Sequence, residues 1–359
     1  MHFPRARPGA ADWPRSTLRV FGRIAEVTGI SGKVETGGTP DFGFDLPDGG
    51  VYFRSGGPKR EYLAPLMSGT LDTLHRPSCP VQLDLEGLEL QGFSIGGLAT
   101  YLMVPEWRIC FDIGECPVDA IRFPQVFLTH SHGDHARGLL RHFSLRRMLN
   151  IPPAEYFVPD FLVEPLRNLA LAWCDLEGHR NRMEYVPEFR PLPKRGSVEL
   201  NRQLRVATFP VDHRVRSLGF TAQEVRKKLK PEFHGTEGHE LGALKRQGVE
   251  IETETLHPRL TFIGDTTVRT LEREPHVLDS DILVIETTFI LPEDLEMAKP
   301  KGHLHLQELF DLLSSDPGAC RFRHLVLKHF SMKYTRAQIE AVVRRKTPDF
   351  LKDRVRLLI

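Results

Sequence analysis

"FLTHSHGDHARG", Phe127 to Gly138, packs His130, His132, Asp134 and His135 together directly behind an apolar run. On a tight strand-to-helix turn, the i, i+2 pair His130 and His132 can face one metal while Asp134 and His135 face a neighbouring one. Neutral imidazoles suit zinc, and a carboxylate beside them gives the mixed set of catalytic zinc sites, whereas structural sites are rich in thiolate. The stretch therefore predicts a strand that delivers a catalytic metal centre.

Three further runs repeat the pattern. "LRVATFPVDH" ends in His213, "LTFIGD" in Asp265 and "HLVLKH" in His329. As in "QVFLTH", each reads as a buried strand with a metal-ligand residue type at or just past its C-terminal end. Four such deliveries from distant segments predict one sheet edge furnishing one site, the usual place for ligands in α/β architectures.

Composition narrows the remaining choices. Lys plus Arg number 48 against 47 Asp plus Glu, a net charge of +1, so any pull toward nucleic acid must come from local patches. Five cysteines, Cys79, Cys110, Cys116, Cys174 and Cys320, are scattered without a CxxC pair, which fits reduced thiols better than a disulfide framework. The opening "MHFPRARPGAADWP" lacks an apolar h-region and no stretch approaches 18 apolar residues, so a cytoplasmic protein without membrane attachment is expected.

Residues 1–85 are rich in Gly, Pro and Asp and read as a small β-rich or irregular extension; residues 86–359 alternate short apolar runs with turns and amphipathic segments, the texture of an α/β domain. Within the latter, "PDFLVEPLRNLALAWCDLEG" and "TRAQIEAVVRRK" have helical spacing, the second with Thr335 as N-cap.

These motifs resemble the metallo-β-lactamase superfamily and, within it, ribonuclease Z in its short plant-like form. The closer likeness rests on "GFSIGGLATYLMVPEWRICFDIGECP", "FLTHSHGDHARGL", "KLKPEFHG" with "GVEIE", "FIGDTT", "LVIETTF", "GHLHLQEL" and "LKHFSMKYT", spanning about residues 90 to 340. The resemblance implies a four-layer αββα sandwich with a dinuclear centre: one metal on His130, His132 and His213, a second on Asp134, His135 and His329, and Asp265 between them. Two Zn(2+) per chain are expected, with Mn(2+) the other candidate. Metals about 3.5–4 Å apart activate water and stabilise in-line displacement at phosphorus, and Asp134 could also orient that water. His303, favoured over His305, would protonate the leaving ribose oxygen with Glu286 as its relay partner. Asp112 of "FDIGEC" would lie in a turn beneath the metals and orient a ligand histidine. Ser94, Gly96 and Gly97 of "SIGGLAT" would allow close backbone approach near substrate.

A surface for RNA is suggested by Arg214, Arg216, Arg226, Lys227, Lys228 and Lys230, with Glu224 the single acid among them; a solvated helix face is the other reading. Arg137, beside the metal motif, could take an anionic substrate group. Arg141, Arg146, Arg147 and the basic run near the C-terminus are further candidates. The leading expectation is thus an endoribonuclease that removes the 3′ trailer of precursor tRNA, and the resemblance implies a homodimer. The alternatives are a hydrolase of a small phosphodiester or lactone on the same fold, and a nucleic-acid-binding protein with a vestigial site.

Overall fold

The computed structural model describes residues 80–179 and 184–359. Of the expected extension, residues 1–79 and Cys79 with them lie outside the described residues, while Val81–Leu85 form the first strand of the sandwich and pair antiparallel with the second.

The first sheet runs in chain order through β1 (Val81–Leu85), β2 (Leu88–Gly96), β3 (Ala99–Val104), β4 (Ile109–Ile113), β5 (Gln125–Phe127), β6 (Glu155–Pro159) and β7 (Glu188–Leu192). β1 to β4 are antiparallel neighbours and β4 to β7 parallel ones. The second sheet contains β8 (Gly196–Asn201), β9 (Leu204–Val211), β10 (Ser217–Leu229), β11 (Glu252–Phe262), β12 (Ile282–Glu286) and β13 (His324–Lys328). After β13 the chain crosses back as β14 (Phe330–Ser331) to pair with β2, and β15 (Val355–Leu357) closes the second sheet against β13.

Both faces of each sheet are buried, so central strands read as continuous apolar runs whose alternate residues enter different cores. In β12, Ile282 and Val284 face the inter-sheet core and Leu283 and Ile285 the other. The inter-sheet layer is aromatic: Phe111 of the first sheet stacks on Phe262 and Phe220 of the second, with ring centroids 5.3 and 5.9 Å apart. The outer cores take helices α1 (Gly133–Ala136), α2 (Gly138–Met148), α3 (Val163–Leu176), α5 (Arg269–Arg273), α6 (Leu295–Lys301), α7 (Leu306–Ser315) and α8 (Arg336–Lys346), whereas α4 (Gly238–Arg246), between β10 and β11, buries no residue. Both expected helices form, and Thr335 caps α8 in a reciprocal box with Gln338. The chain is a four-layer αββα sandwich.

Candidate metal centre

Parallel strands in each sheet end at one edge, and the loops that leave them carry the titratable side chains. β5 is followed by His130 to His135, β9 by His213, β11 by Asp265 and β13 at once by His329. All seven residues singled out as metal ligands meet there. His130, His132, His213 and Asp265 form one group and Asp134, His135 and His329 another, each with ligand-type atoms within 4.8 Å of one another. Asp265 turns Oδ2 toward His130 and His213 (3.7 and 3.9 Å) and Oδ1 toward His135 and His329 (3.0 and 3.2 Å), the stance of a carboxylate between two sites.

The outward ring nitrogens explain why these imidazoles face inward. Thr129 Oγ1 donates to Asp112 and so accepts from His130 Nδ1 at 2.9 Å. His135 Nδ1 donates to Asp112 at 2.8 Å, and His213 Nδ1 to the Gly302 carbonyl at 2.7 Å. Thr288 Oγ1, which donates to Glu286, accepts from His329 Nδ1 at 2.9 Å. In its neutral form each of these four rings is thereby fixed as the tautomer with an Nε2 lone pair toward the centre. Ring nitrogens crowd together there: His135 Nε2 and His329 Nε2 are 3.2 Å apart, and His130 Nε2 lies 3.0 Å from His132 Nδ1. Asp265 Oδ1, almost wholly buried, accepts no hydrogen bond of proper geometry despite these neighbours. Imidazole nitrogens and a buried carboxylate oxygen that face a common point fit a cation held there.

The electrostatics call for positive charge at the same point. Burial disfavours charge on His135, yet Asp265 and Asp112 outweigh it and lift its pKa to about 10, so without a cation a proton occupies Nε2, the place a bound cation would take. Burial holds His130, His132 and His213 below the usual imidazole value, hence neutral and able to ligate. Asp134 remains ionised against its burial, through hydrogen bonding and charge from His329 and His135.

Asp112 is placed otherwise than expected. It lies within β4, where the β3 register skips it, with φ at 54°, so it is a strand bulge and not a turn residue. The bulge brings its carboxylate under His135 and Thr129. Backbone approach is close here: a Cβ on Gly114 would stand 1.8 Å from the Asp134 carbonyl oxygen, and one on Gly96 3.0 Å from the His329 ring. Gly97 N–H donates to Asp134 Oδ2 at 2.7 Å.

His303 and His305 part company. His303 Nδ1 is 2.9 Å from Glu286 Oε1, in a third group with Asp265 and His329. Burial lowers its pKa, but the Glu286 carboxylate prevails and raises it to about 9. His305 is buried, accepts from Gln307 N–H and reaches the Leu291 carbonyl at 2.9 Å as the N-cap of α7.

The basic residues do not form one patch. β10 is a strand and no helix: Arg214 and Arg216 precede its metal-side end, while Arg226, Lys227 and Lys228 lie at its far end, with Lys230 just beyond. At about 3.3 Å per residue, Arg226 stands roughly 30 Å from Arg216, and it pairs with Glu224 at 3.2 Å. Arg137 and Arg141 both lean on Glu115, at 3.7 and 3.8 Å. Arg146 is buried and donates to the Pro152 carbonyl. Thr129, Thr288 and Gly302 had no signal in the sequence, because each works only through a neighbour that the fold brings in. Lys328 was also missed: fully buried beside His329, it has no hydrogen-bond partner and stands 4.8 Å from the Phe262 ring.

Two sheets with these seven side chains at one edge define a hydrolase-type metal centre of the metallo-β-lactamase fold. That fold is shared with YhfI of Bacillus subtilis, a metallo-β-lactamase fold protein, at a TM-score of 0.51 and 12% identity over 74% of this chain and 93% of that one. No protein-family model matches the sequence. Two Arabidopsis thaliana proteins do: tRNase Z TRZ1, 32% identical over 73% of this chain and 91% of its own length, and chloroplastic tRNase Z TRZ2, 33% identical over 73% and 72%. The chain belongs to the ribonuclease Z family.

Proposed function

We propose that the protein is a metal-dependent endoribonuclease that removes the 3′ trailer from precursor tRNA. The observation that carries this reading is the cluster of inward-facing imidazoles and carboxylates around Asp265, in a chain of the ribonuclease Z family. We assign two zinc ions per chain, manganese being the alternative, to the His130, His132, His213 group and the Asp134, His135, His329 group, with Asp265 shared. Bound there, divalent ions acidify water and neutralise the charge that develops on the phosphoryl oxygens.

This chain's own residues do the rest. Asp112, Thr129, Thr288 and Gly302 hold the imidazoles in their ligating tautomers. Asp134, its Oδ2 fixed by the Gly97 N–H, orients the attacking water with its carboxylate. Glu286 holds Nδ1–H and keeps the His303 ring charged until it gives its Nε2 proton to the leaving ribose oxygen, which leaves the ring neutral. Arg214 and Arg216, beside His213, are assigned to substrate, as is Arg137; Arg226, Lys227, Lys228 and Lys230 would meet RNA only at a distance from the cut.

A homodimer in the cytoplasm completes the reading. Free Cys110, Cys116, Cys174 and Cys320 suit a reducing compartment, and no helix among the described residues is long and apolar enough to cross a membrane. One relative is named as chloroplastic, so the compartment is best checked by localising the tagged protein.

The functional test compares a 3′-extended tRNA transcript with bis(p-nitrophenyl) phosphate. Turnover of the transcript at catalytic enzyme concentration supports the reading. Turnover of the small diester alone, with the transcript intact at stoichiometric enzyme, would assign the centre to a small substrate.

A further inference from the structure

Beside the metal centre lies a cavity of about 820 Å³ whose occupant the assignment of Arg214 and Arg216 to substrate leaves unspecified. It is bordered by His213, Arg214 and Arg216 from the loop after β9 and by Phe161, which follows the C-terminal end of β6 at the edge that carries the metal-binding side chains. Such a volume falls within the range of roughly 300–1,000 Å³ typical of small-ligand sites.

Its charges are unevenly spent. Of the acids on its wall, Asp212 is held by Thr267 and by Arg273 at 3.2 Å, Glu274 by Arg195, and Asp160 accepts from the Phe161 N–H. Among the described residues no acid pairs with Lys194, Arg214 or Arg216, so the cavity presents uncompensated positive charge. Arg216 is ordered in a different way: its Cζ lies 3.8 Å from the centre of the Phe161 ring, so the guanidinium rests on the ring face. The ring holds the guanidinium plane in one orientation before any substrate arrives. A guanidinium held flat, with its outer face open to a cavity, offers a surface on which a nucleobase can stack.

We infer that Arg216, backed by Phe161, is a stacking platform for the base of an unpaired nucleotide next to the scissile bond, with Arg214 and Lys194 taking that nucleotide's phosphate. This rests on the ribonuclease reading and sharpens it: Arg216 positions substrate by its plane and not by its charge alone, and the site favours single-stranded RNA at the cut over a closed duplex.

The substitution Arg216→Lys separates plane from charge, and Arg216 is exposed, so the fold tolerates the change. Precursor tRNA carrying 2-aminopurine at each of the two nucleotides flanking the cut, one at a time, reports stacking by fluorescence quenching. With the unaltered protein, quenching appears at one position. With R216K it is lost there, and KM for the precursor rises about ten-fold while kcat changes less. Phe161→Leu, which removes the backing ring, lowers the quenching in the same position, and Phe161→Tyr restores it. Quenching and KM unchanged in R216K would overturn the platform while leaving the ribonuclease reading intact. An unaltered protein that neither binds nor cuts the precursor would defeat that reading and the platform together.

Discussion

Glu286 sits at the centre of two separate tasks. One oxygen accepts from His303 Nδ1 and the Thr266 N–H, and the other from Thr288, whose hydroxyl in turn receives the His329 proton. A single buried carboxylate thus fixes both a metal-facing imidazole and the proposed proton donor. Replacing His303 by Gln should lower kcat on precursor tRNA by about 10²–10⁴-fold, the usual worth of a positioned acid, with bound metal retained. The sign of the pH dependence follows from the raised His303 pKa of about 9: the donor is protonated below that value, so activity should fall as pH rises through it. Glu286→Gln removes the charge responsible, and the alkaline limb should move down toward the ordinary imidazole range. A kcat profile from pH 6 to 10 for both proteins checks this, and a limb that stays in place would contradict the assignment. His305 supplies the contrast, because it caps α7. His305→Ala should cost about 1 kcal/mol of stability, lowering Tm by a few degrees with catalysis retained.

At the level of elements, much of the site was legible because burial on both faces forces central strands to be apolar throughout, so the first titratable residue after each run stands out. That logic located His130, His213, Asp265 and His329 at the ends of β5, β9, β11 and β13. It failed where local geometry departs from a regular strand. Asp112 reads as a turn residue, yet it is an extra residue in β4, and only the partner register reveals the bulge. The run from Arg214 to Lys230 reads as one patch because sequence distance is short, whereas thirteen residues of extended β10 carry its two halves far apart. Phe161 gave no signal, since one aromatic after a strand is most often core. The bulge also yields a prediction. Asp112→Asn keeps the volume but alters the acceptor for His135 and Thr129, and should weaken metal affinity about 10–100-fold, read by competition with a chromogenic chelator. Gly114→Ala should be worse, because the added Cβ meets backbone atoms of Asp134 and Thr100, which cannot swing aside as a side chain would; loss of bound metal with little loss of the β-sheet circular dichroism signal is the expected outcome.

For the whole molecule, a net charge of +1 gives little long-range attraction to RNA, so binding must depend on the few cations beside the centre. Arg214→Ala should reduce the slope of log affinity against log salt by about 0.7–0.9, whereas Lys228→Ala, at the far end of β10, should alter it less. A metal on these residues would also tie the two sheets, since the facing groups come from both. An ion that binds only the folded chain stabilises it by mass action; chelation should therefore lower Tm reversibly, and readdition of zinc should restore it. The most direct test of the central claim is to map the 3′ end of the product when the zinc-loaded protein acts on a 3′-extended tRNA transcript. A single end, directly after the discriminator nucleotide and bearing a 3′-hydroxyl, is the expected result. An intact transcript, or ends scattered along the trailer and the acceptor stem, would contradict the assignment of this centre to tRNA 3′ processing.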